Sequence, residues 1–455
     1  MRDASPPRRR RRAGVVVLAL VVLAIVAFAA LAWRPAIDPV APPARTSFDA
    51  ALIQRGAVLA NAGNCTGCHT VAGGLPFAGG LALATPFGTL YSTNITPDRD
   101  TGIGRWSFEA FERAMRRGVD RAGSHLYPAF PYTHYTRLTD DDVRALYAYV
   151  MTRTPVRAEA PANQLAFPLG FRPLLAGWKL LFFREERFQA DASQAAEWNR
   201  GAYLAESLGH CSACHSPRNA LGAERRGEHL GGGDAEGWHS PALNANSPSP
   251  LPWTVDALAT YLRTGIAADH AIAGGPMQGV VRSLQQIPAD DVRAIATYIH
   301  ARMGPAAEPR QARATASVER ARQAPFAVTG IGTGASAPAP AASGPGDDAL
   351  LQLGARVYAD ACASCHAMGR ELSSGSGLQL PLAIALYEPT PASLIRIVRE
   401  GIAPGEGERG RWMPSFAGAL TDEQIAALAQ YLRRAGAGAP AWPDVAGEVR
   451  KARHP

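Results

Sequence analysis

All six cysteines of the chain fall in one pattern: Cys65-Thr-Gly-Cys68-His69, Cys211-Ser-Ala-Cys214-His215 and Cys362-Ala-Ser-Cys365-His366. With none left over, any fold for this chain must give three C-x-x-C-H units the same chemical setting. C-x-x-C-H is the attachment signature of c-type haem. The two thiols, one helical turn apart, add to the two porphyrin vinyl groups, and the adjacent imidazole faces the iron. Other readings account for less. Structural zinc takes four ligands, usually two C-x-x-C pairs per metal, and three motifs do not share out evenly. A thioredoxin-type motif needs a strand-to-helix context that these flanks lack. Disulfides within each pair leave the three histidines without a role. The expectation is three covalently bound haem c groups. Cys65, Cys68, Cys211, Cys214, Cys362 and Cys365 attach them, and His69, His215 and His366 are the proximal iron ligands.

The flanks repeat with the motifs. Upstream stand Arg55-Gly-Ala-Val-Leu-Ala, Arg200-Gly-Ala-Tyr-Leu-Ala and Gly354-Ala-Arg-Val-Tyr-Ala, each read as a helix running into the haem site. Downstream, FEAFERAMRRG, VDALATYLRTG and ASLIRIVREG close on Gly118, Gly265 and Gly401, and glycine just past a periodic apolar pattern is a helix stop. Each unit ends in an amphipathic helix: LTDDDVRALYAYV, IPADDVRAIATYI and LTDEQIAALAQYL, with Thr139 and Thr421 as N-caps. The fold class expected is all-α, with three haem domains in tandem at residues 45–153, 191–303 and 347–436. Residues 304–346, rich in Ala, Pro, Gly and Ser, read as a semi-extended linker, and 437–455 as a C-terminal tail. The connection 154–190 carries too many large apolar groups for a tether. It reads either as packing between the first two domains or as a surface for a partner or membrane, with Trp178, Phe182 and Phe183 as anchors.

A methionine from the loop before the last helix would complete the iron coordination, its thioether favouring the ferrous state. Met277 in GGPMQGVVRSL and Met413 in RWMPSF stand in such loops beside glycine or proline rather than on apolar helix stripes. The first unit has Phe130 there, in HLYPAFPYTH, and phenylalanine cannot bind iron. His134 is the candidate substitute, with His125 behind it. A histidine ligand would place the first haem at lower potential than the other two.

The N-terminus holds six arginines against Asp3 in residues 1–13, a local +5 out of a net +7, which leaves little excess charge elsewhere and argues against a nucleic-acid partner. Residues 14–33, GVVVLALVVLAIVAFAALAW, carry no charge and no proline. Twenty helical residues at about 1.5 Å each match a hydrocarbon core of about 30 Å. Arg8–Arg12 hold residues 1–13 in the cytoplasm by the positive-inside rule, which places the remainder in the periplasm of a bacterial inner membrane. The alternative is a cleaved signal peptide ending at Ala30-Leu31-Ala32, but the apolar run exceeds the usual core of about 7–15 residues.

Together with the three C-x-x-C-H motifs, STNITPDRDTGIGRW from Ser92, HLYPAFPY from His125 and FPLGFRPLLAGWKLLFF from Phe167 carry a resemblance. Over nearly its whole length the chain resembles the triple-haem cytochrome c subunits of bacterial membrane-bound dehydrogenases. The resemblance implies an electron-transfer subunit that receives electrons from a catalytic partner and passes them to ubiquinone or a terminal oxidase. Partners in the group are quinoprotein alcohol dehydrogenases, flavin-dependent gluconate or sorbitol dehydrogenases, and molybdenum hydroxylases acting on aldehydes or N-heterocycles. Alcohol dehydrogenase types are expected to carry methionine where Phe130 stands, so the resemblance favours a molybdopterin plus iron–sulfur partner. No dinucleotide fingerprint or acid cluster beside a nucleophile supplies a substrate site; redox chemistry belongs to the cofactor. Two rivals are a haem peroxidase with an open distal position at Phe130, and a stand-alone respiratory carrier.

Overall fold

In a computed structural model the described residues are 7–305, 308–322, 345–366, 379–403 and 413–453. They form two compact units: residues 1–57 with 68–188, and residues 58–67 with 189–455.

The first unit begins with α1, Pro7–Ala32, whose residues 12–32 are long and apolar enough to cross a membrane. It continues through α2 (Ala50–Ala62), which straddles the two units, and α3 (Cys65–His69) to a hairpin of β1 (Ala82–Thr85) and β2 (Gly88–Tyr91). Then come α4 (Phe108–Arg117), α5 (Tyr132–Tyr135), α6 (Asp140–Met151), β3 (Gln164–Leu165), which pairs antiparallel with β2, and α7 (Leu174–Phe182).

The second unit repeats the helical part of this order twice, with the hairpin present only in the first copy among the described residues. The first copy runs α8 (Ala196–Glu206), α9 (Ser212–His215), β4 (Gly233–Ala235), β5 (Trp238–Ser240), α10 (Val255–Thr264), β6 (Ile266–Ala267), β7 (Ala271–Ile272), α11 (Pro276–Leu284) and α12 (Ala289–Met303). After α13 (Glu308–Arg322) the other copy runs α14 (Pro345–Val357), a π turn at Tyr358–Cys362, α15 (Ala363–His366), α16 (Ala392–Glu400), α17 (Asp422–Tyr431) and α18 (Val445–Lys451).

Local chemistry sets these ends. Ser107, Thr139 and Thr254 each accept a hydrogen bond from a first-turn backbone N–H, and Thr421 forms a capping box with Gln424. Gly118 and Gly265 end α4 and α10 in the left-handed conformation expected of a C-terminal glycine.

One packing contact occurs three times. A methyl placed on Gly56 would lie 2.0 Å from the Ala145 carbonyl oxygen, on Gly201 1.8 Å from that of Ala294, and on Gly354 2.3 Å from that of Ala427. In each case the next obstacle includes the Cβ of a tyrosine, Tyr149, Tyr298 or Tyr431. The helix before each C-x-x-C-H therefore crosses α6, α12 or α17 at backbone distance, which requires glycine. Beside the crossing Arg55 pairs with Asp142 and Arg200 with Asp291, both at 2.7 Å. Leu353 and Gln424 occupy the equivalent positions of the third repeat. The ion pair is replaced there at both ends together, and the glutamine is the one that closes the capping box.

Four expectations change. Three small antiparallel sheets accompany the helices, so the fold is helix-rich rather than purely α-helical. Within the 304–346 segment, residues 308–322 form a helix whose Ala314, Ser317 and Ala321 are buried along one face, as an alanine-rich run with small residues at helical spacing permits. Residues 323–344 lie outside those described. The 437–455 tail folds back: Trp442, Val445 and Val449 are buried in the core of the third repeat. Finally, Trp178 and Phe183 face inward on Tyr132 of their own unit, with ring centroids at 6.5 and 5.4 Å, and Phe182 packs on Trp178.

Candidate haem sites

Each C-x-x-C-H occupies a single helical turn. Asn64 and His210, the residues before Cys65 and Cys211, have φ of 48° and 34°; this breaks the incoming helix and re-aims the chain. The third motif is reached without a break, through the π turn at Tyr358–Cys362. None of the six cysteines is in a disulfide. Burial pushes the Cys211 and Cys362 thiols up to about 12, the opposite of the lowered value that marks a reactive redox thiolate. No group of three or more His, Cys, Asp or Glu converges among the described residues, as a structural zinc site there would require.

Hairpins hold two of the three motif histidines. His69 Nδ1–H donates to the Thr93 carbonyl at 2.7 Å, and His215 Nδ1–H donates to the Pro241 carbonyl at 2.7 Å. Both acceptors lie just past the second strand of a hairpin, β2 or β5. The carbonyls of these histidines accept from Gly79 N–H and Gly232 N–H, each at 2.8 Å, and both glycines have positive φ. Backbone at both ends of the residue thus fixes the imidazole and its tautomer, leaving Nε2 as the ring nitrogen that could meet a metal. Burial lowers the pKa of both rings against the opposing pull of those carbonyls, which favours the neutral, ligating form. The residues fit a haem c: paired reduced thiols, an oriented imidazole beside them, and at Arg263 a buried guanidinium nitrogen, Nη1, without a protein acceptor. A haem carries two carboxylates, the kind of acceptor that nitrogen lacks.

On the opposite wall, Leu126 N–H donates to Gly118 O at 2.8 Å and Ala273 N–H to Gly265 O at 2.7 Å. Four residues after these matching bonds stand Phe130 and Met277, so the backbone supports the equivalence read from sequence. Met277 is the second residue of α11, and the Gly275 backbone two residues earlier rests on Trp238 of β5; a methyl on Gly275 would lie 2.2 Å from that ring. One hairpin therefore steadies both His215 and the loop that carries Met277. Met413 differs in register: its backbone forms an isolated bridge with Ile402, and its side chain packs against the third core.

His134 lies in α5, 5% exposed. His125 is committed elsewhere. Lys179 Nζ donates to Arg117 O and Gly118 O, both at 2.6 Å, and meets His125 Nδ1 at 3.0 Å. With Nδ1 accepting, Nε2–H donates to the Ala32 carbonyl at the end of α1, 3.0 Å away. Burial, then the nearby Arg34 charge, push Lys179 down to about 7. With both nitrogens engaged, His125 is removed from the candidates for the first iron. No sequence signal marks Lys179, which interrupts an apolar run.

Residues 53–154 match the family model of cytochrome c, and residues 349–432 that of subunit III of cbb3-type cytochrome c oxidase. The gluconate 2-dehydrogenase cytochrome c subunit of Pantoea cypripedii is 39% identical over 438 residues, covering 92% of this chain and 90% of that protein. The chain belongs to the cytochrome c subunits of dehydrogenases. The fructose dehydrogenase cytochrome subunit of Gluconobacter japonicus is 38% identical over 84% of this chain and 78% of its own. A nicotinate dehydrogenase component from Pseudomonas putida is 47% identical over 99% of this chain, but the match spans only 36% of that longer protein. Membership in this family makes the chain an electron-transfer cytochrome with covalently bound haem c.

Proposed function

We propose that the chain is a tri-haem electron relay, anchored in the bacterial inner membrane by a retained α1 and facing the periplasm. Cys65/Cys68, Cys211/Cys214 and Cys362/Cys365 attach the haems, with His69, His215 and His366 as proximal ligands. Met277, Met413 and, for the first haem, His134 are the sixth ligands. The carrying observation is the repeated clamp on His69 and His215, carbonyl on Nδ1 and glycine N–H on the histidine's own carbonyl. It presets an imidazole for iron in two separate repeats. The third copy of the glycine-mediated helix crossing supports a third haem domain.

Haem c supplies the one-electron redox chemistry when bound. The chain's own residues orient the imidazoles of His69 and His215, and Arg263 in the second repeat carries a buried donor that a haem carboxylate would satisfy. Retention of α1 is supported by its outer end, which is built into the folded head through the His125–Ala32 bond and a 2.7 Å bond from Arg113 to Pro35 O. The catalytic partner is a dehydrogenase. A molybdopterin plus iron–sulfur enzyme oxidising an N-heterocycle or aldehyde is favoured, because the nicotinate relative is 47% identical across 99% of this chain and Phe130 stands where methionine is otherwise expected. Ubiquinone or a terminal oxidase receives the electrons.

The intact mass of the mature chain tests the relay: it should exceed the polypeptide by three haems, and fewer overturns the count. Cofactor analysis of the complex isolated from membranes tests the partner. Molybdenum with iron–sulfur clusters supports it; pyrroloquinoline quinone or flavin overturns it.

A further inference from the structure

α7 is built inside out. Its charged residue, Lys179, is 8% exposed and spends its ammonium protons on two backbone carbonyls and His125, while Leu174, Leu180 and Leu181 are 40%, 70% and 64% exposed. The approach to the helix continues the pattern, with Phe167 98% and Phe171 59% exposed. A helix facing water does the reverse, so the solvent outside this face is apolar. What covers it follows from its neighbour. α7 packs against α1, and along residues 12–32 of α1 the side chains that lose exposure are Phe28, Leu31 and Ala32, one face of the last turn and a half. At about 1.5 Å per residue, Phe28 lies about 7 Å inside the end of the apolar run at Trp33. That is the depth of the headgroup–acyl boundary, about 5–10 Å, at which in-plane amphipathic helices lie. Exposed Trp33 and Arg34 sit at the outer end of α1 and exposed Arg184 just past α7, suited to the interfacial zone and lipid phosphates.

We propose that residues 167–182 form a second, non-spanning membrane contact. Phe167, Phe171, Leu174, Leu180 and Leu181 are immersed in the outer leaflet beside α1. This rests on α1 being a retained anchor. The two attachments hold the first unit against the bilayer rather than letting it swing on a single helix, with the His125–Ala32 bond as the brace between them.

Because all six native cysteines are consumed by haem attachment, one introduced cysteine is uniquely addressable. Full-length holoprotein carrying Leu181→Cys, Phe167→Cys, Val22→Cys or Asp141→Cys is modified with a benzophenone maleimide, reconstituted in vesicles of phosphatidylethanolamine and phosphatidylglycerol, and irradiated. Peptides carrying positions 181, 167 and 22 are expected to gain the mass of one phospholipid, and the peptide carrying 141 to gain none. Adducts at 22 but not at 181 or 167 overturn the inference while leaving the anchor intact; loss at 22 overturns the anchor itself. In vesicles bearing the complex with its catalytic subunit, cross-links from 181 to that subunit in place of lipid show a protein-docking face and overturn the proposal.

Discussion

The glycine at each helix crossing makes a prediction whose sign is in contest. Gly201→Ala in the middle of α8 improves intrinsic helix propensity by about 1 kcal/mol. The new methyl, however, would sit 1.8 Å from the Ala294 carbonyl oxygen and 2.9 Å from the Tyr298 Cβ. The first obstacle is backbone and cannot rotate away, so α8 and α12 must move apart by at least about 1.2 Å to bring that contact from 1.8 to 3.0 Å. A gap of about 0.5–1 Å forfeits a quarter to a half of each dispersion contact across an interface. Overpacking of this kind costs about 1–3 kcal/mol, and backbone on backbone belongs at the upper end. Taking about 3 against about 1, the variant is about 2 kcal/mol less stable in this repeat, or about 30-fold in local opening. Hydrogen exchange in the full-length holoprotein reads this directly. Peptides from Ala196–Glu206 and Ala289–Met303 should exchange about 30-fold faster, with those from α14 and α17 unchanged. Equal or slower exchange in α8 would mean that the crossing is not held at backbone distance, and the shared geometry of the three repeats would fail with it.

Arg200→Leu strands Asp291, whose side chain is 15% exposed, and should cost about 1 kcal/mol; adding Asp291→Gln, as in the third repeat, should recover most of it in denaturant unfolding. His270, stacked on Trp253 at 4.0 Å with its Nδ1 facing Ser249 Oγ, is pushed down to about 4 by burial. Its folded value lies below the unfolded one of about 6.5, so its contribution is complete above pH 6.5 and is lost as pH falls toward 4. His270→Gln should flatten stability across that window, and an unchanged slope there would exclude it as the acid-labile group. Phe130→Met should raise the midpoint of one haem in a redox titration, and Met277→Leu should lower that of another. If neither midpoint moves, the loop equivalence does not extend to iron coordination.

Much of this architecture was legible because capping chemistry is local. Thr139, Thr421, Gly118 and Gly265 mark helix ends through bonds made within one turn, and a sequence shows one turn whole. What escaped notice depends on distant partners. The β4–β5 hairpin spans only residues 233–240 and contains Gly-Asp-Ala-Glu-Gly-Trp, too short and too glycine-rich to show alternation, yet its end supplies the Pro241 carbonyl for His215. The 308–322 helix hid in a compositional bias toward alanine and proline that reads as linker until a core is there to receive Ala314 and Ala321. Lys179 is a single charge in an apolar stretch of sequence; only the carbonyls left by the Gly118 turn explain why it points inward.

The repeats also show which contacts the haem function fixes and which it leaves free. Each helix crossing joins the segment that leads into C-x-x-C-H to α6, α12 or α17, so its spacing fixes the frame on which the motif is held. Gly56, Gly201 and Gly354 keep that spacing in all three repeats, although the ion pair beside it is replaced by Leu353 and Gln424 in the third. The opposite wall varies more: Phe130 with buried His134 nearby, Met277 at the start of a helix, and Met413 in a bridge with Ile402. A constant frame with variable loops suits the proposed relay, since exchange of one axial side chain would move a haem's potential without disturbing the frame. Under the proposed ligand set, differences in haem potential would arise in the loops at 126–134, 273–277 and 413–416 and not in the helices that carry them.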